Sequence, residues 1–192
     1  MNQTLFTLLA LARLSLKRPR DGARQVIALR LPPSVGWLGL GLAAVLSTLM
    51  VHLSFAMQPA DVQSFFAATI ASPLRTALLQ GGFMGVAVVA VYRVGRWRGG
   101  HGRFDEALIL VVWLQFVLLG LQAVQLVAYA VAPLLADLIG LATVALFFWL
   151  LTNFVAELHG FRSLGLVFVG VLATLVVMVL GLAFGLALFV GA

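Results

Sequence analysis

The sequence predicts an all-α integral membrane protein: a bundle of five transmembrane helices preceded by short cytoplasmic interfacial helices. Of the 192 residues, 63% are hydrophobic and only 9% are charged, whereas soluble domains carry roughly a quarter charged residues. A water-soluble fold of this length has too little interior to bury so much apolar surface. The apolar residues are also grouped into five long stretches, which suits a lipid bilayer.

Each of the five stretches is long enough to cross a bilayer. A spanning helix needs roughly 20 mostly apolar residues, because ~30 Å of hydrocarbon is crossed at 1.5 Å per residue. The charged residues inside the stretches, Arg75, Arg93 and Asp137, lie near their ends. Backbone amides must be paired in lipid and no stretch alternates like a barrel strand, so helices are expected. The predicted spans are residues 34–57, 74–94, 107–131, 134–156 and 164–190, in a membrane domain of residues 34–192.

Prolines and glycines separate the predicted spans. Pro32 and Pro33 come at the start of the first span, where proline is tolerated. Pro133 predicts a tight turn between the third and fourth spans, and Gly160 is the expected C-cap of the fourth. One alternative stays open at Pro133: if only one of those two stretches crosses the membrane, both chain ends lie on the same side.

Residues 1–33 form a separate N-terminal segment. The stretch from Thr4 to Leu16 places its leucines on one broad helical face, with Arg13 and Lys17 toward another. This pattern predicts an interfacial helix on the cytoplasmic leaflet beside anionic lipid. A signal peptide is not expected, because its basic residues would precede the apolar run. A second helix, from about Asp21 to Leu29 and capped by Asp21, leads into the first span; a disordered tail is the alternative.

The basic residues predict the orientation of the chain. Of the 12 Lys and Arg residues, only Arg75 falls on the side opposite the others in the five-span arrangement. Basic residues stay in the cytoplasm, so the N-terminus is predicted to be cytoplasmic and the C-terminus periplasmic. The arginine, alanine and glycine richness is typical of a GC-rich bacterial genome, which places the chain in the inner membrane. The basic residues lie beside apolar segments, so the orientation of the chain in the membrane explains the net positive charge better than nucleic-acid binding does. Candidate cytoplasmic contacts for lipid or partners are Arg13, Lys17, Arg18, Arg20, Arg24, Arg96, Arg98 and Arg103.

A second set of candidates is polar and lies inside the predicted spans or, for Glu157, at the inner end of one. Polar groups at bilayer depth are costly, so they are expected to face the bundle interior or a wet cavity. One interpretation is a polar pathway gated or protonated at Glu157. The favoured one is that these groups bridge helices, at roughly 1–2 kcal/mol or less each, because an ion pathway usually carries an ionisable group near the midplane. The candidate network comprises His52, Gln80, Gln115, Gln122, Gln125, Asn153 and Glu157.

Residues for catalysis or cofactor binding are not grouped in this sequence. It has no cysteine, and its three histidines are scattered, so neither thiol chemistry nor a metal site is predicted. It also lacks the common hydrolase and metalloprotease motifs, so we expect neither an enzyme nor a bound cofactor. The glycine-rich loop from Arg96 to Glu106 lacks the strand and lysine of a nucleotide-binding loop. It is interpreted as a flexible basic connector at the lipid surface.

Pairs of small residues at a spacing of four allow helix backbones to approach closely. Gly81 with Gly85, and Gly181 with Gly185, form GxxxG pairs, and Gly39 lies four residues before an alanine. These pairs suit either packing within the bundle or the seam of a homo-oligomer, and the sequence does not decide between them.

The order of these features resembles a known family. The N-terminal segment reads LKRPRDGAR from Leu16 to Arg24, and ALRLP follows from Ala28. The second cytoplasmic loop reads GHGRFDEAL from Gly100 and leads into Trp113. With five spans, this resembles the Yip (Ypt-interacting protein) domain family in its compact bacterial form. The resemblance implies a membrane protein. The eukaryotic members of the family work in vesicle traffic, where they bind Rab GTPases and other membrane proteins. The long N-terminal region of those relatives is not matched here, so Rab binding is not carried over.

Two functional hypotheses follow. The first is a non-enzymatic membrane protein of Yip type that binds protein partners, which include membrane proteins or a second copy, or that organises lipid at the cytoplasmic face. The second is a small oligomeric channel or transporter that uses the glutamine face and Glu157. A membrane enzyme acting on lipid is the least supported.

Overall fold

The computed structural model describes residues 2–58, 62–64 and 72–190, with side chains for residues 6–58, 62–64, 72–181 and 184. In this part of the chain all the regular elements are helices, as predicted. Five of them are long and apolar enough to cross a membrane. The helices are α1 (Asn2–Lys17), α2 (Pro19–Ala28), α3 (Pro33–Ala56), α4 (Pro73–Trp97), α5 (Phe104–Val131), α6 (Pro133–His159) and α7 (Leu164–Val190).

The five predicted spans are confirmed as helices α3 to α7, with boundaries that differ by at most three residues. Proline occupies the first turn of α3, α4 and α6. Its fixed φ suits a helix start, and its missing N–H would have no partner there in any case. Gly160 ends α6 in the left-handed conformation, with φ at 74°, which confirms the predicted C-cap. The chain also turns directly at Pro133, so α5 and α6 are two separate helices.

The N-terminal segment is helical rather than a disordered tail, so that alternative was wrong. The prediction for the second helix needs a correction. This helix, α2, begins at Pro19, with Arg18 at the N-cap and no side-chain cap hydrogen bond. Asp21 therefore lies within the first turn and does not cap the helix. Proline at the first helical position sets the start two residues earlier than the polar side chain suggested.

Helix α5 is the centre of the bundle and packs against α3, α4 and α6. Small residues on α3 allow the closest approach: a Cβ at Gly36 would lie 2.7 Å from Leu108 Cδ2, and one at Gly39 would lie 2.8 Å from Val112 Cγ1. Gly81 of α4 faces α3, but Gly85 faces open space. The small residues of α3 and α4 are therefore used partly for packing within the bundle. Gly185 lies outside the described side chains.

Helix α7 lies at the edge of the bundle, against α6. Phe148 and Phe168 meet edge to face across this contact, with ring centroids 6.1 Å apart. Large apolar side chains point outward from every spanning helix, such as Leu38 at 75% exposed and Leu141 at 71%. A monomer in water rarely exposes so much contiguous apolar surface. The exposed surface is that of a protein solvated by lipid tails.

Candidate functional site

The two N-terminal helices dock on one end of the bundle, at the point where α6 ends. Arg24 of α2 donates from Nε to Glu157 Oε1 of α6 at 2.9 Å. This hydrogen bond, and then the attraction between the two charges, raises the pKa of Arg24 above its ordinary value. Arg20 Nη2 donates to the carbonyl oxygen of Phe161 at 2.8 Å. Both bonds join α2 to the last turn of α6 and the residues after it.

Helix α1 is held by a buried hydroxyl. Ser15 is fully buried; its Oγ donates to the carbonyl of Leu11 and accepts a hydrogen bond from Trp113 Nε1, both at 2.9 Å. Gly22 of α2 lies so close that a Cβ there would be 2.7 Å from Ser15 Cα. Leu11 and Val26 join the same apolar core as α5. The predicted interfacial helix is therefore packed onto the bundle along one face.

A buried histidine holds the same end of the bundle together. His159 is only 1% exposed and lies among three glycines: Gly95, Gly100 and Gly102. A Cβ at Gly95 or Gly100 would overlap the imidazole, and one at Gly102 would lie 2.6 Å from Leu158 Cγ. Since Gly95 belongs to α4 and the other two to the α4–α5 loop, the ring joins both to α6.

The hydrogen bonds of this ring define its proton position. The backbone N–H of Gly102 donates to Nδ1 at 3.3 Å. Nε2 lies 3.1 Å from the carbonyl oxygen of Val91. An imidazole that accepts at Nδ1 and faces a carbonyl at Nε2 is the neutral tautomer with its proton on Nε2. Phe161 stacks on the ring, with centroids 5.5 Å apart. The glycine loop is consequently packed, and its interpretation as a flexible connector was wrong.

The chain matches the model of the Yip1 domain over residues 13–185. The chain belongs to the Yip1 domain family. The match begins inside α1 and extends into α7, so it includes the docked helix α2 and the loop around His159. No curated protein matches the chain, and no solved structure matches it.

The polar candidates of this Yip1 domain protein lie in several separate places. Gln115 Nε2 donates to Ser47 Oγ at 2.8 Å and so joins α5 to α3. Asn153 donates to the carbonyl of Trp149 in its own helix, at 2.8 Å. His52 Nδ1 lies 2.9 Å from the carbonyl oxygen of Thr48, also within one helix. The hydrogen bond of Gln115 thus joins two helices, as predicted for a polar group that bridges helices.

The remaining polar candidates are also distributed along the bundle. The Gln125 side chain lies over Gly140 of α6, where a Cβ would be 2.6 Å from Nε2. Gln80 and Gln122 are half-buried. Glu157 pairs with Arg24 at one end of the bundle. The structure therefore joins one member of the polar set to one member of the basic set.

The basic candidates of the Yip1 domain lie around this docked end. Arg20 is half-buried against α6. Arg103 precedes α5, and its guanidinium forms an ion pair with Asp105 at 3.6 Å. The backbone N–H of Arg103 donates to Glu106 Oε2 at 3.0 Å. Both acidic residues favour the positive end of the α5 dipole. The other basic candidates are exposed: Arg13, Lys17, Arg18, Arg24, Arg96 and Arg98.

Sequence reasoning missed three residues at this end: Ser15, Trp113 and His159. In the sequence, nothing distinguishes Ser15 from another small residue on an amphipathic helix. Trp113 and His159 lie toward the ends of predicted spans, where such residues are common without a specific contact. The available signal was the spacing of glycines, since Gly95, Gly100 and Gly102 remove side chains from one short region. Glycines grouped beside a helix end indicate that another group approaches the backbone closely.

Proposed function

We propose that this Yip1 domain protein is a non-enzymatic scaffold of the bacterial inner membrane, with a cytoplasmic N-terminus and a periplasmic C-terminus. Residues 1–33 form its contact segment at the cytoplasmic face, and residues 34–192 form its membrane domain. The scaffold binds protein partners through the exposed basic residues of α2 and of the α4–α5 loop, and it organises lipid along α1. The observation that carries this proposal is the docking of α2 on α6 through Arg24 and Glu157.

Docking matters because a fixed surface loses less conformational entropy on binding than a mobile tail does. Arg20 and Arg24 each make a bond to the end of α6, so α2 is held from two points. Arg18, which precedes α2, and Arg96 and Arg98, at the end of α4, remain exposed. Cations in such an arrangement favour an acidic surface on a partner and accelerate its association.

The interior supports a scaffold over a channel. Gln115 Nε2 donates to Ser47, and Glu157 Oε1 is paired with Arg24, so both side chains make the bridging contacts expected of a scaffold. A space between α4, α5 and α6, lined by apolar side chains such as Leu114 and Phe154, measures about 10 Å³. A water molecule needs at least roughly that volume and two or more polar partners.

Crosslinking in native membranes tests the partner-binding proposal. Arg18→Glu and Arg98→Glu reverse exposed charges directly before α2 and directly after α4, and the double variant should lose a partner that the wild-type chain captures. Arg75→Glu, at the opposite end of the bundle, is the matched control and should retain it. A partner set unchanged by the double variant would contradict the proposal. Solute flux through liposomes containing the pure protein would favour the channel instead.

A further inference from the structure

One side of helix α1 carries an open, shallow groove with a volume of about 570 Å³. The half nearer the start of α1 is apolar, lined by Phe6, Leu9 and Ala10. The other half is basic, lined by Arg13, Lys17 and Arg18. A ligand that fills both halves must therefore be amphiphilic and negatively charged.

The basic side chains of the groove form no ion pair in the described part of the chain. The ion pairs found there join Arg24 to Asp21 and Glu157, and Arg103 to Asp105. Three cations within six residues repel one another, and an anion between them relieves that repulsion. The charge of the groove is thus complementary to a phosphate group.

The depth of α1 indicates which anion can reach the groove. Helix α5 has 28 residues, and at 1.5 Å per residue it spans ~42 Å, roughly 12 Å more than the hydrocarbon core. When α5 is centred, the hydrocarbon begins about four residues after Phe104. Trp113 lies nine residues after Phe104, and side chains tilt toward the start of their helix. Trp113 therefore lies about five residues, or ~7.5 Å, inside the hydrocarbon, and its bond to Ser15 places the bundle-facing side of α1 at the depth where an interfacial helix buries its apolar face.

We propose that this groove binds one anionic phospholipid of the surrounding leaflet. The phosphate lies between Arg13, Lys17 and Arg18, and an acyl chain covers Phe6 and Leu9. Long basic side chains reach the headgroup while their stems stay against apolar surface. This inference rests on the proposed function, because it requires α1 to lie at the membrane face.

The test uses the purified full-length chain in detergent, with retained lipids counted by native mass spectrometry. Dioleoyl phosphatidylglycerol is compared with dioleoyl phosphatidylcholine, and glycerol phosphate represents a headgroup without chains. We expect one phosphatidylglycerol to be retained, with phosphatidylcholine and glycerol phosphate at least tenfold weaker. Equal retention of the two lipids would overturn the inference.

Variants then locate the bound lipid. Arg13→Ala, Lys17→Ala and Arg18→Ala together should weaken retention by about tenfold or more, since each cation near a lipid surface contributes appreciably. Ala10→Trp fills the groove without changing its charge and should weaken retention as well. Arg93→Ala, Arg96→Ala and Arg98→Ala remove equal charge elsewhere and should retain the lipid. Wild-type retention in both groove variants would overturn the inference.

Hydrogen exchange of the α1 amides separates the two proposals. Slow exchange together with selective retention supports both the docked helix and the lipid site. Slow exchange without selectivity overturns the lipid site alone. The α2 amides are followed in the same experiment, and their exchange as fast as that of a free peptide overturns the docking on which the proposed function depends, and the lipid site with it.

Discussion

The imidazole of His159 fills the space that a side chain at Gly100 would occupy. The two residues are far apart in sequence but meet where α6 ends and the α4–α5 loop begins. Because Gly102 also donates its backbone N–H to the ring, the loop is both packed against the histidine and bonded to it. This contact joins three of the spanning helices at the same end to which α1 and α2 are docked.

Gly100→Ala should destabilise the protein, because the new methyl group would overlap His159. Forcing an extra carbon into a packed site typically costs about 1–3 kcal/mol. The measurement is thermal unfolding of the purified protein in detergent. Gly85→Ala is the matched control: it faces open space within a helix, so it should be neutral or slightly stabilising. Equal unfolding midpoints for the two variants would show that the glycines around His159 are not tightly packed against its ring.

Replacing either partner of the Arg24–Glu157 pair should loosen α2. Arg24→Glu places two acids together, and Glu157→Arg places two cations together, so both single variants should speed hydrogen exchange of the α2 amides several-fold. The charge-swapped double variant restores the attraction and should slow the exchange again. Asp21→Asn is the control, because Asp21 contacts Arg24 only at 3.7 Å and is exposed. A double variant that exchanges as fast as the singles would argue against this pair.

Trp113→Phe should lower the free energy of unfolding by about 1 kcal/mol, the usual net value of a hydrogen bond. It removes the bond to the buried Ser15 hydroxyl and leaves the aromatic packing largely in place. Chemical unfolding followed by circular dichroism measures the loss. Trp97→Phe is the matched control, since Trp97 is 81% exposed and should show little change. A loss of the same size at both positions would assign the effect to the tryptophan ring in general.

Gln115 and Ser47 should show energetic coupling in a double-mutant cycle. Hydrogen bonds between membrane helices average about 0.6 kcal/mol, so Gln115→Leu and Ser47→Ala should together cost less than the sum of their separate effects. Unfolding in mixed micelles gives the four free energies. Additive effects would mean that the 2.8 Å bond between α5 and α3 contributes nothing to stability.

The spans could be predicted because each depends on a local property of the chain. Bilayer thickness determines how many apolar residues are needed, and Pro33, Pro73 and Pro133 mark where helices begin. Gly160 was predictable for the same reason, since a helix that ends in the left-handed conformation favours glycine. The start of α2 was predicted wrongly because two local signals conflicted. Asp21 is a common N-cap residue, but the helix begins at Pro19, two residues earlier.

The docked end could not be predicted, because its contacts join residues that are distant in sequence. The five-span arrangement placed Glu157 near cytoplasmic arginines, but its partner is Arg24 of α2 rather than an arginine of a neighbouring loop. The packing around His159 requires that Gly95 of α4 and Gly102 of the α4–α5 loop both lie against its ring. Hydropathy indicates which residues lie in the bilayer but not which other residues they contact.

Thiol labelling tests the arrangement of the chain most directly, because the protein contains no cysteine of its own. Single cysteines at Gln25, His101 and Arg162 report the docked end, and single cysteines at Arg75 and Asp137 report the opposite end. In intact cells, an impermeant reagent should label the last two sites and spare the first three until the membrane is opened. Labelling of Gln25 from outside, or of His101 and Asp137 from the same side, would contradict the account.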